Sequence, residues 1–341
     1  VIFEITQGEN AASLFQGWQE PMIWACLQGV MGRLYGDSAK APSSAMALLG
    51  DFCFLAGKPN RELVLYKPQC CGQDFVIMVP GDGKWAALIE NCYGMEERSR
   101  AKKVLRYGIR KEPDIFTEQV LEKLRKAVEA LPEEYELRMM DETLFWRCRE
   151  IPWCRDWVYQ YEDYDRYRKY GMGAVILKDG EPVSGASSYA GCDILGNYRF
   201  TRGETYFIGE RDFQGAKYFI GEEYFQGAKH FMGEECSQGA KHAMGEECSG
   251  EDRDYARKAD AVEKDYREAA VSRSIEVEID TRQDYRRRGL AYICGAKLIL
   301  ECRKRGWYPS WDAQNLWSAA LAEKLGYHFD QAYIAYEILG W

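Results

Sequence analysis

The segment SIEVEIDTRQDYRRRGLAYICG, from Ser274 to Gly295, limits the possible folds more than any other stretch. Its first half alternates: Ile275, Val277 and Ile279 share one face of a strand, and Glu276, Glu278 and Asp280 share the other. A strand that is acidic on one side suits the wall of a cleft better than a sheet covered on both faces. The chain then turns through TRQDY and enters a helix whose first turn holds Arg288, Gly289 and Leu290. The first turn of a helix leaves backbone N–H groups unpaired and carries partial positive charge, so it favours phosphate. Glycine there lets an anion approach the backbone, and Arg286, Arg287 and Arg288 add charge and bidentate donors. Such a junction is suited to holding a pyrophosphate, although R-x-x-G-x-A alone is equally compatible with a basic helix start on the surface.

The 341 residues suffice for two ordinary units, and 46% hydrophobic with 14% aromatic content can fill their cores. Forty-five Lys and Arg against 54 Asp and Glu give a net charge of -9, which argues against nucleic acid as a partner. Twelve cysteines without a C-x-x-C pair suggest reduced thiols and a cytoplasmic location. No apolar run approaches the ~18 residues of a membrane span, so no membrane partner is expected. The chain starts on Val1, which is compatible with a removed leader. Only three histidines occur, and His230 and His242 occupy equivalent places in a repeat, so no metal centre or histidine-based triad is expected.

An N-terminal α/β domain is expected over residues 1–132, closing on a helix in FTEQVLEKLRKAVEAL, with Val120, Leu121, Leu124 and Val128 at helical spacing. GDGKWAAL at Gly81 lacks the first glycine and the Ser/Thr of a phosphate loop and reads as a tight turn. A second domain is expected over 133–341. It contains a strand in YELRMMD, helices in ETLFWRC and between Trp153 and Tyr170, and a hairpin in GAVILKDGEPVSGASSYA.

Residues 193–273 interrupt this second unit. They carry a 12-residue repeat, GERDFQGAKYFI, GEEYFQGAKHFM and GEECSQGAKHAM, starting at Gly209, Gly221 and Gly233, with partial copies extending it over about 203–249. A charged helix is expected to follow in EDRDYARKADAVEKDYREAAVS. The repeats read as a surface insertion, because lengthening a loop raises its closure cost only logarithmically. A small stacked β structure that binds a partner is the alternative. The ends of the insertion are expected to lie side by side, since consecutive strands usually pair.

After the junction come a helix in LAYICGAKLILECRKRG, a strand in YPSWDA, a helix in QNLWSAALAEKLGY and a last strand in AYIAYEIL. This succession resembles the GNAT superfamily of acetyl-CoA-dependent N-acetyltransferases, and looks most like its two-part bacterial members that include antibiotic-acetylating enzymes. The family's Q/R-x-x-G-x-G/A signature is matched by Arg286, Gly289 and Ala291, its asparagine by Asn315, and its EKLGF helix end by Glu323 to Tyr327. The resemblance spans about 133–341 without the insertion, and GDFCFLAGKP in the N-terminal part is similar to the same subfamily. It implies an α+β fold, with a mixed, mostly antiparallel sheet flanked by helices, and acetyl-CoA as co-substrate. It further implies that the backbone at Ile279, Asp280 and Thr281 pairs with the pantetheine arm. The run Arg286, Arg287, Arg288, Gly289, Leu290 and Ala291 would wrap the pyrophosphate, and Asn315 and Ser318 would contact the cofactor. Where many members carry a tyrosine acid, four residues before the helix-ending glycine, this chain has Ala322. Water or one of Tyr327, Tyr333 and Tyr336 would then protonate the leaving thiolate.

An aliphatic amine, with a pKa near ~10, must lose a proton before it attacks a thioester. Glu276 and Glu278 are the candidate bases, unless they serve only to pair with nearby arginines. The acceptor is expected to be a small cationic amine, and the protein a monomer or homodimer. A non-catalytic acyl-CoA sensor, or an interaction protein using the repeats, are the competing readings.

Overall fold

The computed structural model describes residues 1–94, 100–194 and 271–341; the repeats and the expected charged helix lie outside them. The chain begins with β1 (Phe3–Ile5), α1 (Glu9–Ala12) and α2 (Pro21–Leu27). Every residue of α2 is buried; Pro21 presets its first turn, and the Glu20 side chain caps it by accepting from the Met22 amide. Strands β2 (Arg33–Gly36), β3 (Ser44–Leu49) and β4 (Phe52–Gly57) form an antiparallel meander with β1. Helix α3 (Arg61–Val64) leads to β5 (Phe75–Pro80), which runs parallel to β4. The turn at Gly81 opens α4 (Gly83–Tyr93), capped by Asp82, which accepts from Lys84 and Trp85 amides. Next come β6 (Ala101–Ile109) and α5 (Glu118–Glu129).

The later part holds β7 (Glu136–Met139), α6 (Glu142–Glu150), α7 (Tyr164–Tyr170), β8 (Gly173–Lys178), β9 (Glu181–Asp193) and β10 (Arg273–Thr281). It ends with α8 (Leu290–Lys304), β11 (Trp307–Ser310), β12 (Asp312–Ala313), α9 (Leu316–Lys324) and β13 (Phe329–Leu339). Two sheets result. One has the order β11-β10-β9-β8-β7, and the other β1-β2-β3-β4-β5-β13-β6-β12. YPSWDA therefore makes two strands in two different sheets, and β13, the last strand, inserts between β5 and β6 of the sheet built by N-terminal residues. Three strand pairings, β5 with β13, β13 with β6 and β6 with β12, thus cross the line expected at residues 132 and 133.

The apolar side of β10 does what its alternation requires. Ile275 and Val277 join Leu290, Ile293, Ile299 and the indole of Trp311 in one core, against which Ile279 packs. A second core, around Phe54, Phe145, Trp157, Tyr167 and Tyr189, fills the space between the N-terminal elements and the other face of β9. No helix among the described residues is long and apolar enough to cross a membrane.

Strands β9 and β10 are antiparallel neighbours, with Asp193 opposite Arg273. The Arg273 guanidinium pairs with the Asp193 carboxylate at 2.6 Å, and the Ile194 amide donates to the Ser272 carbonyl at 2.9 Å. A short connection therefore suffices at this point. Replacing residues 195–270 by a short Gly/Ser linker is expected to leave a soluble protein whose Tm lies within about 5 °C of the parent's. Loss of the cooperative melting transition would show that these residues belong to the core.

Candidate active site

Strand β10 loses one of its two neighbours halfway along. It pairs in parallel with β11 from Arg273 opposite Trp307 to Glu276 opposite Ser310, and no further. Asp312 and Ala313 pair instead with Gly108 and Tyr107 of β6, in the other sheet. Among the described residues, β10 keeps only β9 beside it from Val277 to Thr281, and its register shifts between Glu276 and Val277, where the fork opens. The backbone edge left on the fork side can pair with an extended, amide-bearing molecule, as an exposed sheet edge pairs with an added strand.

At the far end of that edge lies the start of α8. Gly289 caps the helix with φ 80° and no side-chain hydrogen bond, and a Cβ built on it would meet no atom within 4 Å. Arg287 also has a positive φ, 62°, a conformation uncommon for a residue with a side chain. Arg286 Nε donates to the Thr281 carbonyl at 3.0 Å, tying the end of β10 to the loop. Arg288 folds back: Nη2 donates to the Asp284 carbonyl at 2.9 Å, and its guanidinium lies 4.7 Å from the centre of the Tyr285 ring. Arg287 and Gly289 are exposed, whereas Leu290 is buried in the core. The open helix start and its arginines can hold an anionic group.

The acidic side of β10 faces the N-terminal elements. Glu276 is 4% exposed and sealed beside the Ser310 hydroxyl. Burial raises its carboxyl above the usual range, and the Lys111 ammonium, 4.0 Å from Oε2, opposes that rise. Glu278, one turn of the pleat beyond the fork, is half-buried; burial and then the charges of Asp156 and Asp280 push it up to about 8. Asp280 is raised mainly by burial, against the hydrogen bond from the Thr281 amide at 2.7 Å.

Four further charged groups surround this face. Glu20 is pushed up to about 8 by burial and then by the charge of Glu276. Lys111 Nζ donates to Ser310 Oγ and to the Trp311 carbonyl, at 2.5 and 3.2 Å. Arg106 holds Asp312, with Nε and Nη2 at 2.7 and 2.6 Å from Oδ2. Sequence reasoning missed all four, because none belongs to a motif and they come together only when β6 and α2 pack against β10. One signal was present: a glutamate before a proline that opens seven apolar residues marks a carboxylate at the cap of a buried helix.

The remaining expected site residues are held within the fold. Asn315 Oδ1 accepts from the Ser318 amide at 2.9 Å and caps α9, and Ser318 Oγ accepts from the Trp311 indole at 3.1 Å. Tyr327 is 2% exposed and donates its phenol proton to the Pro309 carbonyl at 2.7 Å, while Tyr336 donates to Glu90, in a different core. Tyr333 stands beside Arg106 and Asp312. Ala322 is fully buried. Among the described residues, no three His, Cys, Asp or Glu side chains are grouped to hold a metal ion.

The raised carboxyls fix a pH dependence of stability. A carboxyl that titrates at about 8 in the fold, against 4.5 ordinarily, holds its proton more tightly when folded. Its contribution is fully present below the ordinary value and is lost as pH rises through the folded one. Tm should therefore fall as pH rises across that window, and Glu20→Gln should make the fall shallower in a series of thermal melts.

A family model of GNAT acetyltransferases matches residues 12–194 and 268–336. Among solved structures, a GCN5-related N-acetyltransferase-like protein from Streptococcus suis 89/1591 is 34% identical, over 97% of this chain and 98% of that one, with a TM-score of 0.66. A GNAT-family acetyltransferase from Colwellia psychrerythraea aligns over 99% of each chain at 9% identity and a TM-score of 0.42. A tandem GNAT protein from the clavulanic acid biosynthesis pathway aligns over 100% of this chain and 99% of that one, at 8% identity and a TM-score of 0.44. No curated protein matches the chain. With its fork, its open helix start and a matched span that takes in both sheets, the chain belongs to the GNAT acetyltransferase family.

Proposed function

We propose that this acyltransferase moves an acetyl group from acetyl-CoA to a primary amine, a small cationic molecule. The observation that carries this reading is the fork: an unpaired strand edge with an anion-binding helix start at one end and buried carboxylates on its acidic side. The residues present fit the cofactor. The backbone of Val277 to Thr281 would pair with the amides of a pantetheine arm, and Arg286 to Ala291 would hold the pyrophosphate, where Gly289 leaves the approach open.

Of the two candidate bases, Glu278 is the better placed, because it lies past the fork and keeps some solvent contact, whereas Glu276 is sealed. A carboxylate that titrates at about 8 is also a far better match to an ammonium than an ordinary one. The amine gives its proton to Glu278, and its lone pair attacks the thioester carbonyl. Backbone N–H groups at the register shift face the developing oxyanion, and the tetrahedral intermediate collapses with loss of the thiolate. The second proton on the attacking nitrogen passes through water to the thiolate, and Glu278 returns its own to solvent, since Ala322 has no proton to give and the Tyr327 proton is engaged by Pro309. That same pair of features favours a second reading, a non-catalytic acyl-CoA sensor. Acetyl-CoA turnover over a panel of amines decides between them.

Gly289→Glu should abolish CoA binding in calorimetry, by filling the anion's place with like charge. Gly289→Ala, which bears only the strain of a left-handed backbone, should weaken it by less than about tenfold. Wild-type affinity in Gly289→Glu would remove the pyrophosphate from this loop. Glu278→Gln should lower kcat/KM at neutral pH by about a hundredfold, with activity recovering as pH approaches that of the free amine. A pH profile unchanged from the parent's would exclude Glu278 as the base.

A further inference from the structure

The fork exists because the chain leaves β10 after Ser310, and the N-terminal segment 106–113 holds it away at every step. The Tyr308 hydroxyl accepts from the Glu112 amide at 3.0 Å and donates to the Arg110 carbonyl at 3.2 Å. Lys111 Nζ donates to Ser310 Oγ and the Trp311 carbonyl, at 2.5 and 3.2 Å. Asp312 is bound by Arg106 at 2.6 Å, and β12 continues as the edge partner of β6. Among these contacts Lys111 is singular: its side chain is 1% exposed, and it reaches the last residue of β11 that pairs with β10 and the first that does not. Its ion-pair partner is Glu276, Oε2 4.0 Å away, and Glu20 is near enough to feel both charges.

We propose that Lys111 is a positioning residue of the cofactor gap, a buried ammonium that pins the bend at Ser310 and Trp311 and so keeps β11 from zipping along β10. A lysine suits this place because its ammonium carries three donors on a flexible stem. Two are used on Ser310 and Trp311, which leaves one directed by charge toward Glu276. The consequence is that N-terminal residues, far in sequence from the pyrophosphate loop, decide whether that loop has a gap to serve. The affinity arm of the test rests on the acetyl-CoA reading, and the exchange arm does not.

The experiment uses the full chain in three forms: the parent, Lys111→Met, and Lys111→Met with Glu276→Gln, in which no uncompensated charge is left buried. Lys111→Met alone should lower Tm, because it strands the Glu276 carboxylate, and the double variant should recover Tm. Both should bind CoA at least about tenfold more weakly than the parent, since a charge-assisted anchor is lost. In the unliganded proteins, hydrogen exchange at Val277 to Thr281 should slow in both variants as β11 extends its pairing. A merely structural role would make the same amides exchange faster. Ser310→Ala, a milder change, should slow exchange at these positions in the same direction. Parent-like CoA affinity in the double variant, or unchanged or faster exchange at Val277 to Thr281, overturns the proposal. If the parent itself binds no CoA, the functional reading fails, and the exchange data alone decide the role of Lys111.

Discussion

Residues 307–313 have two strands to pair with and cannot satisfy both. Over Trp307 to Ser310 their backbone groups go to β10, and over Asp312 and Ala313 they go to β6. Every buried backbone donor and acceptor needs a partner, so the switch between sheets has to be abrupt, and the bend at Trp311 is where it occurs. The polar contacts that secure the bend come from β6 and the residues after it: Arg106 on Asp312, Lys111 on Ser310 and Trp311, and the backbone of Arg110 and Glu112 on Tyr308. On the apolar side, the Trp311 indole is buried in the α8 core and donates to Ser318, so the bend is anchored from both directions. The unpaired edge of β10, the direction of α9 and the path of β13 all follow from this one change of partner.

The same packing gathers an unusual amount of charge inside the protein. Glu20, Glu276 and Asp312 meet Arg106 and Lys111 in a region where burial costs any unpaired ion heavily. The arrangement meets that cost in two ways. Asp312 is matched to Arg106 at hydrogen-bond distance, and Glu20 is pushed up until it holds its proton near neutral pH. Glu276 is left between these solutions, near one ammonium but not in direct hydrogen-bond contact with it. A group of this kind responds to small changes around it, which suits the point where a strand must remain split. Glu278, on the open side of the fork, feels the same environment with more access to solvent.

The N-terminal residues are thus part of the GNAT unit in a physical sense. The family match itself begins at residue 12 and ends at 336, and the two sheets share the chain's last strand. Removing the N-terminal half would take away both β5 and β6, the two strands that flank β13. The segment 195–270 is different: the chain leaves β9 and returns to β10 at adjacent positions, where a hydrogen bond and an ion pair already close the sheet.

Much of the site was legible in the residues. The alternation from Ile275 to Asp280 assigned the apolar and acidic faces of β10 correctly, because a strand has period two and one face was destined for the α8 core. Arg286 to Ala291 announced an open helix start, because glycine at such a place tolerates the left-handed backbone found at Gly289. The tyrosines were ambiguous, and only packing separated Tyr327 at Pro309 from Tyr333 at Asp312 and Tyr336 at Glu90. Glu20, Arg106, Lys111 and Asp312 were invisible, since they lie up to some 290 positions apart in sequence and no local pattern links them. What the sequence determined by itself were the elements whose character is set by neighbours two to four residues away: faces, caps and turns. The tertiary structure alone decided that YPSWDA would break between two sheets, since that depends on whether β6 or β10 offers the better partner. Such a competition is settled only by contacts made across the whole chain.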